Sequence, residues 1–191
     1  LIIMSRWPAV GRCKTRLAKS IGSESAACIQ NKLIQHTICV AKELEDNNLV
    51  EVRLAFSGIS SKAAKRWGLE NGLNQVFPQG EGSLGVRMKR QVLLNQKSRQ
   101  KKNPGRGTIL IGTDLPSLCR LDLIEAIEAL EMHEIVLGPS LDGGYWLIGF
   151  SGQLLAPVVN WPFAGIPWGT DRVLQETLRS AHLKNARYKL L

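Results

Sequence analysis

Apolar and polar positions along the chain fall into short blocks whose period switches between two and about 3.6, the signature of alternating strands and helices. Leu1-Ile2-Ile3-Met4 reads as a short hydrophobic strand, and Pro8 and Gly11 in the following Ser5 to Arg12 segment turn it into a loop. From Ser23, placed as an N-cap, to about Leu44, the residues Ala27, Ile34, Ile38 and Ala41 recur near helical spacing. Val50 to Phe56 alternates as a strand, Ser61 to Trp67 suits a short helix, and Gln75-Val76-Phe77 makes a brief strand before Pro78. Gly82 to Gly85 is a turn leading into a helix from about Val86 to Asn95. Thr108 to Gly112 is the central-strand candidate, a continuous apolar and β-branched run of the kind covered on both faces. A helix over Leu121 to Leu130, strands over Glu134 to Leu137 and Tyr145 to Phe150, and a last helix from about Thr170 to Ala181 complete the pattern.

Strands and helices alternating at this spacing predict right-handed βαβ units: an α/β fold, a three-layer α/β/α sandwich on a mostly parallel sheet. The length of 191 residues and the 44% hydrophobic content suit one domain, spanning 1–191, with one substantial core. Apolar runs fall far short of the ~20 residues of a transmembrane helix. The opening residues look like a strand already under way and not like a signal peptide, so residues before Leu1 are expected.

Cysteines 13, 28, 39 and 119 lack CxxC spacing, and Cys28 and Cys39 fall in the helical pattern where small apolar residues are expected. Free thiols in a reducing, cytoplasmic compartment follow. His36, His133 and His182 form no ligand motif, which argues against structural zinc. Five charges of the +9 excess, Lys97, Arg99, Lys101, Lys102 and Arg106, share one Pro/Gly-containing stretch. It reads as a solvated loop in preference to a nucleic-acid patch, because no aromatic residues interleave with it.

In parallel sheets ligands collect beyond the carboxyl ends of the strands, so the loops there carry the candidate chemistry. After the first strand come Gly11, Arg12, Lys14 and Arg16, a close-approach glycine beside fixed positive charge, suited either to a pyrophosphate or to a solvated loop. Lys14-Thr15 is not a P-loop, since Cys13 stands where that motif requires glycine. After the central strand comes Thr113-Asp114-Leu115-Pro116. Asp114 could ligate a hard cation bridging phosphates, or cap a helix beginning near Pro116. Asp142-Gly143-Gly144 is either a hairpin turn or a segment whose backbone meets a substrate. Trp168-Gly169-Thr170 is either a helix start capped by Thr170 or a substrate wall.

Taken in order, these segments resemble a known family. Arg6-Trp7-Pro8-Ala9-Val10-Gly11-Arg12-Cys13-Lys14-Thr15-Arg16-Leu17, Gly82-Ser83-Leu84-Gly85-Val86-Arg87-Met88, Gly112-Thr113-Asp114-Leu115-Pro116, Gly138-Pro139-Ser140-Leu141-Asp142-Gly143-Gly144-Tyr145 and Trp168-Gly169-Thr170 span nearly the whole chain. They resemble the small bacterial GT-A-like glycosyltransferases associated with arsenosugar biosynthesis and radical-SAM/selenoprotein-type gene neighbourhoods. More distantly they are similar to the guanylyltransferases of molybdenum-cofactor and phospholactate metabolism.

The resemblance implies a Rossmann-like GT-A fold and a metal-dependent glycosyltransferase that uses a nucleotide-sugar donor and a small-molecule acceptor. A nucleotidyltransferase releasing pyrophosphate, or a catalytically silent nucleotide-binding homologue, is the alternative. It implies that Gly11, Lys14 and Arg16 face the diphosphate, that Gly82, Gly85 and Arg87 approach the base, and that Asp114 binds Mg²⁺ or Mn²⁺. Lys14 and Asp142 are then the catalytic candidates, Asp142 as second metal ligand or general base. Gly143, Gly144 and Tyr145 would lie on the donor-sugar or acceptor side, with Trp168 closing the pocket. Ser83 and Val86 stand where the family pattern has acids, and Gly169 where it has serine. Nucleic acid is not an expected partner, and a homodimer stays open as the assembly.

Overall fold

The computed structural model describes residues 1–99, 106–154 and 161–191, and their packing divides the chain into two compact units. The first comprises Leu1–Gln79 and Gly112–Arg120, the second Gly80–Ile111 and Leu121–Leu191.

In the first unit β1 (Ile2–Arg6), β2 (Arg53–Ser57) and β3 (Val76–Pro78) lie in the order β3-β2-β1, all parallel. Helices α1 (Thr15–Ile21), α2 (Ser23–Asp46) and α3 (Ser61–Glu70) supply the crossovers that parallel strands require. Along α2 the buried positions Ala27, Ile34, Ile38, Ala41 and Leu44 form the predicted stripe. They belong to a core with Ile2, Ile3, Leu54 and Leu73. Cys28 and Cys39 correct the expectation for them: both are exposed, on the polar side of the helix. All four cysteines are free. The N-cap of α2 is Gly22 and not Ser23, because α1, which the sequence pattern did not predict, ends at that glycine.

The second unit holds α4 (Leu84–Arg99), β4 (Thr108–Ile111), α5 (Arg120–Met132, all but its first residue), β5 (Ile135–Pro139), β6 (Tyr145–Phe150), α6 (Val173–Leu183) and β7 (Tyr188–Leu190). Its strands lie in the order β4-β6-β5-β7. β5 and β7 are parallel, whereas β6 runs antiparallel to both β4 and β5. The sheet is therefore mixed, with parallel pairings prevailing elsewhere. β4 is buried at every position, as its composition predicted, and Leu110, Ile111, Leu123, Ile135, Leu137 and Phe150 are the fully buried core. α5 begins at Arg120, within one residue of the expected Leu121 and not near Pro116, whereas α6 begins at Val173, three residues after the expected Thr170.

Helix α4 continues to Arg99, so Lys97 and Arg99 lie on a helix and not in the expected loop. Lys101 and Lys102 fall outside the described residues, and Arg106 is exposed. Among the described residues no helix is long and apolar enough to cross a membrane.

Candidate functional site

The first unit brings two of the polar loops together. Beyond β1 the backbone folds into a tight turn, with Ala9 N donating to Trp7 O at 2.8 Å and Arg12 N to Ala9 O at 3.0 Å. Gly11 takes φ 73° there with open space where a β-carbon would stand, so glycine is required for its backbone angle and not for want of room. Cys13 is buried and its thiol points back to Ala9 O at 3.2 Å, which explains a residue that breaks the P-loop pattern. Lys14 follows in the left-handed conformation, φ 45° and ψ 43°, a region few non-glycine residues enter. Arg12 and Arg16 stand exposed on either side.

The facing loop is fixed from α2. Gln30 Nε2 donates to Thr113 Oγ1 at 3.2 Å within a buried environment, and the ring of His36 bonds Leu118 O at 2.9 Å. Between those anchors Asp114 projects outward. Lys14 Nζ lies 2.9 Å from Asp114 Oδ1, the ammonium-bearing side chain only 20% exposed and the carboxylate-bearing one 69%. Asp114 caps no helix, since α5 starts six residues further on; the helix-cap reading of this residue is thereby excluded. Gln79 closes the same end of the strands, its Nε2 donating to Ser5 O at 2.9 Å and Ala55 O at 3.0 Å.

Asp114 suits a hard cation as a single carboxylate ligand. Among the described residues no group of three or more His, Cys, Asp or Glu side chains gathers to hold a metal unaided. Mg²⁺ commonly binds through one or two carboxylates plus substrate phosphates and water, and this donor set fits that mode.

The second unit gathers the other candidates. Gly80 and Gly82 have φ 75° and 107°, and Arg90 from the second turn of α4 reaches back so that Nη2 donates to Glu81 O at 2.9 Å. Ser83 immediately precedes α4, its carbonyl accepting from Arg87 N at 3.0 Å. Gly85 is buried on that first turn, against the indole of Trp168; Arg87 is half-buried. Trp168 in turn meets Tyr145 edge to face, ring centroids 6.2 Å apart and planes at 84°. Gly85, Trp168 and Tyr145 thus pack against one another in one row.

The hairpin reading of residues 142–144 holds. β5 and β6 pair antiparallel across it, Ser140 N donating to Gly144 O and Gly143 N to Ser140 O, each at 3.1 Å. Asp142 is exposed and its Oδ1 accepts from Ser140 Oγ and from Gly144 N. The Ser140 hydroxyl first, and the Gly144 amide second, hold the Asp142 carboxyl below its usual range. Asp142 is therefore a turn-former with a carboxylate facing solvent. Gly143, at φ 79°, accepts from Leu174 N at 2.9 Å and lies against the Asp171 backbone, tying the hairpin to the start of α6.

The Tyr145 hydroxyl is buried beside the Thr177 hydroxyl, which donates to Val173 O at 2.8 Å and keeps its oxygen free to accept from the phenol. Burial pushes the Tyr145 phenol above its usual range. Thr170 does not cap α6 at its N-cap position; it shapes the preceding turn, donating to Pro167 O at 2.8 Å and accepting from Arg172 N at 3.3 Å. Gln30 and the Asp171 backbone lie outside the motifs, and Ser140 lies within one without a role assigned to it. Only Ser140 carried a local signal, a hydroxyl two residues before an aspartate in a turn.

Over its whole length the chain has the fold of the nucleotide-diphospho-sugar transferases. It superposes with a TM-score of 0.85 on a crystal structure from Desulfovibrio desulfuricans G20, a protein provisionally described as a nucleotide-diphospho-sugar transferase, at 24% identity and covering 100% of this chain and 78% of that one. A cytidylyltransferase from Leptospira borgpetersenii serovar Hardjo-bovis is also similar, with a TM-score of 0.56, 11% identity, and coverage of 100% and 74%. The chain belongs to the family described as uncharacterized protein conserved in bacteria (DUF2064), whose pattern matches residues 39–170. No curated protein matches it.

Proposed function

We propose that the protein is a transferase for nucleotide-activated substrates, a glycosyltransferase that takes a sugar from a nucleoside diphosphate and gives it to a small acceptor. The observation that carries this reading is the convergence of Lys14 on Asp114 at 2.9 Å, beside Arg12, Arg16 and the open backbone of Gly11. A fixed cation and a lone acid at the carboxyl ends of strands are the two elements that a diphosphate with a divalent cation would use.

In this reading Lys14 and Arg16 bind the diphosphate and stabilise the negative charge that develops as it leaves, an effect that is often the largest in such reactions. Asp114 would hold Mg²⁺ or Mn²⁺, which when bound supplies further neutralisation of the same charge. Gly82, Gly85 and Arg87 would serve the base. Tyr145, Trp168 and the Gly143-Gly144 backbone would serve the sugar or acceptor, with Asp142 as base or second ligand; its lowered pKa weakens it as a base and so favours the ligand role. The motifs further favour the arsenosugar-associated branch.

Calorimetric titration of UDP, GDP, their sugar conjugates, UTP, GTP and CTP tests this, each with Mn²⁺ and with EDTA, on wild type and Asp114→Asn. Metal-dependent binding of a diphosphate or its sugar conjugate, lost in Asp114→Asn, is the expected result. Absence of binding by all of them would sink the donor site. The cytidylyltransferase likeness favours one second reading, nucleotidyl transfer, for which triphosphate preference and pyrophosphate release are the signs.

A further inference from the structure

Lys14 and Asp114 are not only two parts of a binding site; each is the other's partner, and this fixes the order in which ligands can arrive. The inference rests on the donor-site reading above. The lysine is the anchored member, its side chain 20% exposed on a left-handed backbone, while the aspartate is 69% exposed. A free divalent cation approaching Asp114 meets a single carboxylate already neutralised at 2.9 Å, with exposed Arg12 and Arg16 adding to the repulsion. No cluster of other ligating side chains among the described residues offsets that cost. Phosphate oxygens change both circumstances, since they compete for the ammonium and bring the missing oxygen ligands.

We propose that Lys14 is a counter-ion gate: it keeps Asp114 closed to free divalent cations and releases it only when phosphate takes the ammonium. The cation therefore enters with the nucleotide or after it, never before it.

Binding of Mn²⁺ in the absence of nucleotide, followed by loss of the free aquo-ion signal in electron paramagnetic resonance, tests the gate. Wild type, Lys14→Met, Lys14→Asn and Lys14→Met/Asp114→Asn are compared, with circular dichroism confirming that each is folded. Asparagine is included because it tolerates the left-handed backbone that methionine disfavours. Both single variants are expected to bind Mn²⁺ at least about tenfold more tightly than wild type, the gain vanishing in the double variant. Three results would overturn the gate: wild type binding free Mn²⁺ as well as the Lys14 variants, folded Lys14 variants gaining nothing, or a gain that survives Asp114→Asn. Because no nucleotide is present, a failed nucleotide titration would refute the donor site while leaving this result to stand or fall alone.

Discussion

The indole of Trp168 occupies the space that a side chain on residue 85 would need, with Phe163 O only 3.0 Å from the same point. Gly85→Ala gains helix propensity, about 1 kcal/mol. It also forces a rigid ring off its edge contact with Tyr145 and crowds a backbone carbonyl, and overpacking of this kind costs about 1–3 kcal/mol or more. Net destabilisation of roughly 1–2 kcal/mol is expected, with a shift in tryptophan emission. An unchanged or raised urea midpoint would contradict the contact.

Tyr145→Phe separates stability from binding. Thr177, the hydroxyl beside the buried phenol, keeps its bond to Val173 O when the phenol oxygen is removed, so no group is orphaned and stability is expected to be equal or higher. The sign of the pH dependence follows from the raised phenol pKa. Stability contributed by the neutral phenol is fully present below the unfolded value near ~10, and is lost as pH rises through the higher folded value. Denaturation profiles from pH 7 to 11 should therefore show a steeper alkaline loss in wild type than in Tyr145→Phe. If Tyr145 meets the substrate, donor or acceptor affinity falls although the fold is no weaker.

Ser5 is 2% exposed at the carboxyl end of β1, and its hydroxyl has no hydrogen-bond partner. Ser5→Ala removes a buried polar atom without orphaning another, and is expected to raise stability by about 1 kcal/mol. A higher urea midpoint at unchanged slope would show it; a loss of stability would mean that the hydroxyl is satisfied after all.

Asp142→Asn probes the hairpin. The wild-type carboxyl is held below its ordinary value by Ser140 and Gly144, so its contribution is present above the unfolded pKa near ~4 and is lost as pH falls through the folded value. Wild type is expected to be the more stable protein at pH 6, and the two melting curves should converge toward pH 3. A difference that persists unchanged at pH 3 would locate the effect elsewhere.

The fold was legible where an element is long or buried on both faces. β4 was legible because burial on both faces demands an unbroken apolar run, and α2 because its stripe is long. α1 has no buried residue and β7 no covered position, so neither writes a period into the sequence. The antiparallel course of β6 was foreshadowed only by Asp142-Gly143, a turn too short for the crossover that a parallel partner needs. At the site, Lys14 and Asp114 were each visible as polar residues beyond a strand. Their pairing was not, because it depends on Gln30 and His36 pinning the distant 113–118 segment to α2.

The first unit is discontinuous in sequence, its last segment Gly112–Arg120 following an excursion of the chain through residues 80–111. During synthesis the amino-terminal strands and α2 therefore leave the ribosome without the loop that Gln30 and His36 secure, and Lys14 emerges long before its carboxylate. Vectorial folding, which usually favours amino-terminal units, cannot finish this one early. A nascent chain stalled before residue 112 carries Arg12, Lys14 and Arg16 without the carboxylate that pairs with Lys14.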